Sequence, residues 1–589
     1  MQTVIRFSAA LLVLVTIIPV ASSQVYIAGS IRGVLPDTTY IITNNLQVAI
    51  NDTCTISPGA EFYFDGDYDF EIYGYLIASG TETDSIYFSP NTGVEAFGSI
   101  IFRDSANDAS VFSYAVITGA NGSAINAYYC DITIAHCTIV DNGANWGGGI
   151  YFSNANGIIS DFYISDNTAI HNGGGIYCTG SAPVIENCTV VGNYSNLDGG
   201  NGSGRGGGGI CANHMSSATI RDCIVDDNIT EANGGGIAVN DNSHVIITDC
   251  TMNGNTADSS GGGLFISLNC TPVIENCEIN QNVSHMYGGG IHLEDFVNAS
   301  FDSCYVNDNL ALFDGGGIAL FNCRPSFNRC EVVSNVGVNG GGIYLSDADS
   351  TSLDQMTLSI NTALGEGGNI FADSSNFAIS NSIVEGALWG GGIYFAGGEA
   401  SQVNYCDFAN NISNNFNGTY PPGIGTITMT NFNGDPCDDN YNIFLEPLFV
   451  NPLLDNFQLQ EGSPCINAGD PLAPYDPDNT YADIGMHYFD VLGIEGSFSE
   501  KPQDYQVVSC YPNPFNPTTA ISFQQSVYSH VSLKVYDVQG REVVLLVDGY
   551  RSAGSHEVTF DGAGLASGIY IYRFRSGGQQ QSGKLILMK

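Results

Sequence analysis

Basic charge is what this chain most conspicuously lacks. No lysine appears before Lys501, and between residues 24 and 500 six arginines stand against 54 acidic residues. Over all 589 residues the formal net charge is −45. Such a surface repels phosphate backbones, so nucleic acid is not expected as a partner. No Cys-x-x-Cys pair occurs among the 17 cysteines, which argues against a zinc or redox centre. Beyond residue 23 no segment reaches about 18 uninterrupted apolar residues, so no helical span is expected in the mature chain. Glycine is abundant, with 72 residues, but follows no G-X-Y period, which excludes collagen.

The N-terminus has the layout of an export signal. Arg6 supplies positive charge, Leu11 to Val20 form a short apolar core, and Ala21-Ser22-Ser23 precede a cut at Gln24. Residues 1–23 are therefore expected to be a signal peptide.

A three-glycine run followed by an aliphatic residue organises what comes next. GGGI or GGGL recurs with its aliphatic residue at Ile150, Ile176, Ile210, Ile237, Leu264, Ile291, Ile318, Ile343 and Ile393, and a degraded GGNI ends at Ile370. The spacing centres on 27 residues, the signature of a stacked repeat. A second marker runs alongside. Cys137, Cys188, Cys223, Cys250, Cys277, Cys304, Cys330 and Cys406 each lie two residues before an apolar position, five before an Asn and three after an apolar residue. Positions three apart on one strand face opposite ways, so a corner is expected between them, in pairs such as Glu186-Asn187 and Glu275-Asn276. Three short strands and three bends in about 27 residues describe one coil of a right-handed parallel β-helix. Helical repeats are disfavoured, because three mid-helix glycines would cost roughly 3 kcal/mol per unit. The Asn column predicts amide bonds between neighbouring coils. One 34-residue gap, before Ile210, contains an insertion from Asn196 to Arg205, expected to emerge as a loop.

This coil resembles the pectate-lyase-like right-handed β-helices. The recurring GGGI, with Asn142 before Ile150 and Asn255 before Leu264, is similar to the GGxI and FxxN repeats of polymorphic outer-membrane adhesins. Only Phe408-x-x-Asn411 keeps the Phe. The β-helix with its terminal caps is expected over 24–490, followed by a linker over 491–506.

From residue 507 the composition shifts, and residues 501–589 hold eight of the fifteen basic residues. Strand patterns such as Thr519 to Phe523, Val531 to Tyr536 and Ile569 to Phe574 alternate with turn signals, predicting a small Ig-like β-sandwich over 507–589. The segment resembles the type A sorting domain of type IX secretion cargo. Tyr511-Pro512-Asn513-Pro514-Phe515-Asn516-Pro517, Val535-Tyr536-Asp537, Gly540-Arg541, Leu565-Ala566-Ser567-Gly568-Ile569-Tyr570 and Lys584 to Lys589 carry that likeness. It implies export through a type IX translocon, to the outer cell surface or the medium.

Chemistry is harder to read. One Cys per coil at an equivalent inward position predicts buried, mostly free thiols, because neighbouring coils about 4.8 Å apart exceed the preferred Cβ separation of a disulfide. Calcium is the cofactor the residues best suit, on Asp470, Asp476, Asp478 and Asp483 in a Pro-rich loop. No catalytic residue stands out: carboxylate pairs such as Asp226-Asp227 are abundant, and the solenoid has no lysine. The expected function is a non-catalytic adhesin or glycan-binding module. The alternative is a polysaccharide lyase or glycoside hydrolase acting in a groove of the β-helix.

Overall fold

The computed structural model describes residues 24–196, 206–397 and 400–490, and from 509 to 587 all but short turns. The chain divides into two compact units, ending and beginning at Val491 and Leu492. The expected signal peptide, the linker over 491–506 and insertion residues 197–205 lie outside the described residues.

The first unit is an all-β, right-handed parallel solenoid of short strands. The coil that starts at Ile291 shows the plan. Its strands are Ile291–Glu294, Ser300–Asp302 and Tyr305–Asn307, joined by a two-residue fourth, Leu310–Ala311. Each pairs in parallel with its counterpart one coil on: Ile291 with Ile318, Phe301 with Phe327, Tyr305 with Glu331 and Leu310 with Val336. The three expected strands are present. The fourth was not anticipated, and follows from the residues between the Asn column and the glycines forming one more bridge per coil.

The corner expected before each Cys is a single left-handed residue. Asn187, Asp222, Asp249, Asn276, Ser303 and Arg329 have φ of 53, 53, 54, 52, 56 and 48°. Turning there lets both flanking residues point inward, so Ile274 and Cys277, and Phe301 and Cys304, are all buried. The glycines close the coil. Gly261 has φ 68°. A Cβ on Gly262 would lie 2.7 Å from Val283 O and nearer still to Gly289 O of the next coil, so backbone fills the space. Only glycine meets both demands.

At the N-terminal end the core is aromatic: Tyr40, Phe62 and Phe88 stack at centroid separations of 5.0 and 4.9 Å. Val25–Ser30 is the outermost strand, pairs with Thr39–Val48 and is largely exposed. At the other end the period dissolves after about Asn411, and residues 430–490, expected to be the closing rung and cap, do more. Ile443 N donates to Cys406 O, laying a partial last rung. The chain then folds back along the outer face of the Cys-bearing strands. Cys465 Sγ reaches Asp407 (3.3 Å), Met486 N donates to Thr357 Oγ1 (3.1 Å) and His487 Nε2 meets Glu331 Oε2 (3.2 Å). Its apolar side packs Phe449, Phe457, Leu459 and Ile484 on Val333 and Ile383.

The second unit holds two antiparallel sheets. Ser509–Tyr511, Thr518–Gln525 and Gly554–Asp561 form one; Ser529–Asp537, Glu542–Arg551, Gly568–Ser576 and Gln579–Leu587 form the other. Phe515, Phe523, Leu533, Phe560, Phe574 and Leu585 fill one shared core, as in a small sandwich.

Candidate functional site

Outward side chains on the Cys-bearing strands carry a run of polar groups over four successive coils. Asp226, Asn253, Asn280 and Asn307 occupy the same position on successive coils, with Thr251, Glu278, Tyr305 and Glu331 beside them. The row is braced internally. Asp226 Oδ1 accepts from Asn253 N (2.9 Å), Asn280 Oδ1 from Asn307 N (3.1 Å), and Asn307 Nδ2 donates to Glu331 Oε1 (3.0 Å). Strands repeat at about 4.8 Å, and Asp226, Asn253 and Asn280 are half-buried at that interval, whereas Asn307 and Glu331 are buried. His487 of the strap closes the row at Glu331.

Burial, together with the charges of Asp227 and Glu278, pushes the Asp226 carboxyl up to about 7. Burial also raises the Tyr305 hydroxyl, aided by the charges of Glu331 and Glu278. Sequence alone did not separate Asp226 from its neighbour. The structure does: Asp226 stands in the row, whereas Asp227 is a left-handed corner residue with φ 54°. Glu331 and His487 were missed altogether, since 156 residues separate them.

The four aspartates considered for calcium take structural roles. Asp470 Oδ1 accepts from Leu472 N (2.9 Å), Asp476 Oδ2 from Asp483 N (2.8 Å), and Asp478 Oδ1 from Thr480 N (3.0 Å) and Thr480 Oγ1 (2.6 Å). Asp483 uses both oxygens, on Asn467 N and Phe489 N, each at 2.6 Å. Burial raises the Asp476 and Asp483 carboxyls to about 7 and about 6. Among the described residues no group of three or more His, Cys, Asp or Glu side chains is arranged to hold a metal ion.

The cysteines are likewise structural. Sixteen of them are buried with free thiols, including both members of Cys130/Cys137, Cys270/Cys277 and Cys323/Cys330. Burial pushes the Cys54 and Cys137 thiols up to about 11 and about 12, far from a reactive thiolate.

Comparison with known families supplies the address. Residues 98–228 and 185–363 match the right handed beta helix region, and residues 509–588 match the secretion system C-terminal sorting domain. The chain is a right-handed β-helix protein with a type IX sorting domain. That domain marks proteins exported by type IX secretion to the cell surface or extracellular space, and it implies recognition by the secretion machinery. No curated protein matches the chain. Among the described residues no helix is long and apolar enough to cross a membrane.

Proposed function

We infer that the exported solenoid is a non-catalytic adhesin that binds glycan along the outer face of its Cys-bearing strands. The supporting observation is the half-buried row of Asp226, Asn253 and Asn280: carboxyl and amide groups at a fixed interval suit hydroxyl-rich chains, and weak contacts add along a solenoid. The solenoid's composition also counts against a lyase. It has no lysine, and Arg103, Arg221 and Arg329 are committed to Glu71, Glu186 and Asp302. Residues 491–506 are the proposed site at which the sorting domain is removed after export. Intact mass of the surface-released protein tests this, and a product still carrying Lys589 refutes it.

A hydrolase is the second reading, favoured by Asp226, whose carboxyl keeps its proton near neutrality, with Glu278 two coils away. Acid–base pairs of this type cleave glycosidic bonds. Incubating the exported protein with a polysaccharide panel separates the two. Retention without new reducing or unsaturated ends is expected. Turnover that Asp226→Asn abolishes would establish the hydrolase instead.

A further inference from the structure

The turns joining the first and second strands of each coil vary in length, and one variation makes a recess. Asp295 to Ala299 and Asp347 to Thr351 span five residues each, whereas the intervening Asn322 to Pro325 spans four. The shorter middle turn sinks between its neighbours and leaves a hollow of about 720 Å³. Phe296, Asn298, Asn322, Arg324, Asp347 and Asp349 line it.

Two of these residues differ from their nearest equivalents, although Met215, three coils before Phe296, is also left-handed and exposed. Phe296 sits at φ 64° and is 65% exposed. The equivalent positions one and two coils earlier carry Asn269 and Asn242, both at φ 58°. Asn tolerates the left-handed region, whereas a bulky aromatic there is strained and gains nothing from burial. Strain kept at an exposed position points to a contact made outside the fold. Arg324 is the second exception. Arg32, Arg103, Arg221 and Arg329 each meet a carboxylate, but Arg324 forms no ion pair among the described residues. An uncommitted guanidinium on so acidic a protein is a docking point for an anionic group.

The rest of the hollow limits what that anion can belong to. Asp349 Oδ1 is held by Asn376 N and Nδ2 at 2.7 and 3.1 Å, which fixes its carboxylate at the rim beside Asp347. Two carboxylates and two amides suit hydroxyl donors, and the exposed ring suits an apolar sugar face. A polyanion would bring further charges against a surface of net charge −45. We propose that this recess binds a single acidic sugar residue within an otherwise uncharged glycan. Arg324 pairs with its carboxylate, Phe296 packs on its ring, and Asp347 and Asp349 accept from its hydroxyls. The assignment rests on the glycan-binding reading and locates a second site, away from the Asp226 row.

The test uses the full chain and three probes: a neutral oligosaccharide, the same oligosaccharide carrying one terminal glucuronate, and a homopolymeric polyuronate. Calorimetry is expected to show the mono-acidic probe binding about tenfold more tightly than the neutral parent, or about 1.4 kcal/mol. The polyuronate is expected to bind more weakly than the mono-acidic probe. Arg324→Gln should erase the preference. Phe296→Asn should weaken binding while leaving Tm unchanged or higher, an outcome that loss of fold does not produce. Equal binding of the neutral parent overturns the recess assignment but leaves the glycan reading standing. Preference for the polyuronate, or a preference surviving in Arg324→Gln, also overturns the assignment. No binding of any probe removes both.

Discussion

The Asn255 side-chain amide donates to Asn282 Oδ1 at 3.0 Å, and the same oxygen accepts the Asn255 backbone N–H at 2.9 Å. Asn282 repeats the pattern on Asn309 and also donates to Met252 O at 2.8 Å. The ladder runs coil to coil from Asn142 through Asn361, so each internal amide is satisfied by the coils around it. Buried amides this fully paired hold the coils in register.

Asn282→Ala is therefore expected to destabilise the solenoid by about 2–4 kcal/mol, because it strands the Asn255 backbone N–H and one hydrogen of its side-chain amide, the other staying on Val225 O. Chemical denaturation followed by far-UV circular dichroism measures the loss. A cost below about 0.5 kcal/mol would mean that the ladder contributes little.

The glycines divide by what surrounds them. Gly262→Ala forces a Cβ onto the backbone of the next coil and should cost more than about 4 kcal/mol or prevent folding. At Gly143 a Cβ would meet only Thr168 O at 4.0 Å, so Gly143→Ala should change stability by less than about 0.5 kcal/mol. Thermal melts of the two variants check the contrast.

The strap gives stability a pH dependence. Burial, together with the charges of Glu385 and Glu446, pushes the Asp407 carboxyl up to about 7. An unfolded aspartate releases its proton near pH 4. The native state thus binds the extra proton between about pH 4 and 7, and stability falls as pH rises through that window. Asp226, Asp476 and Asp483 act in the same direction. Tm is expected to be higher at pH 5 than at pH 8, and Asp407→Asn should narrow the difference. A Tm that rises from pH 5 to pH 8 contradicts this account.

Thiol titration reports on the Cys column. The native protein should resist a thiol reagent, whereas after unfolding without reductant at least sixteen thiols should react. Fewer than about six would indicate disulfides formed after export.

A chelator addresses the loop of Asp470, Asp476, Asp478 and Asp483. With these carboxylates engaged by backbone N–H groups, Tm should not change on adding EDTA. A fall reversed by calcium would restore the cation to that loop.

Residue pattern alone was enough for most of what repeats, the short fourth strand such as Leu310–Ala311 excepted. In a stacked coil each residue's nearest non-local neighbour is its own equivalent about 4.8 Å away, so Gly262, Asn282 and Cys277 recur at one spacing and declare the corner, ladder and core position they occupy. The sorting domain was equally legible, through motifs local in the chain. What the tertiary structure decided is what does not repeat. His487 finds Glu331, and Cys465 finds Asp407, across stretches with no common period, and the apolar outward residues Val333 and Ile383 gave no hint, since Val191 and Ile224 are apolar at the equivalent positions without a strap. Asp226 was one acid among many until its strand turned it outward beside Asn253. Arg324 and Phe296 became a pair only because a turn one residue shorter than its neighbours left room between them.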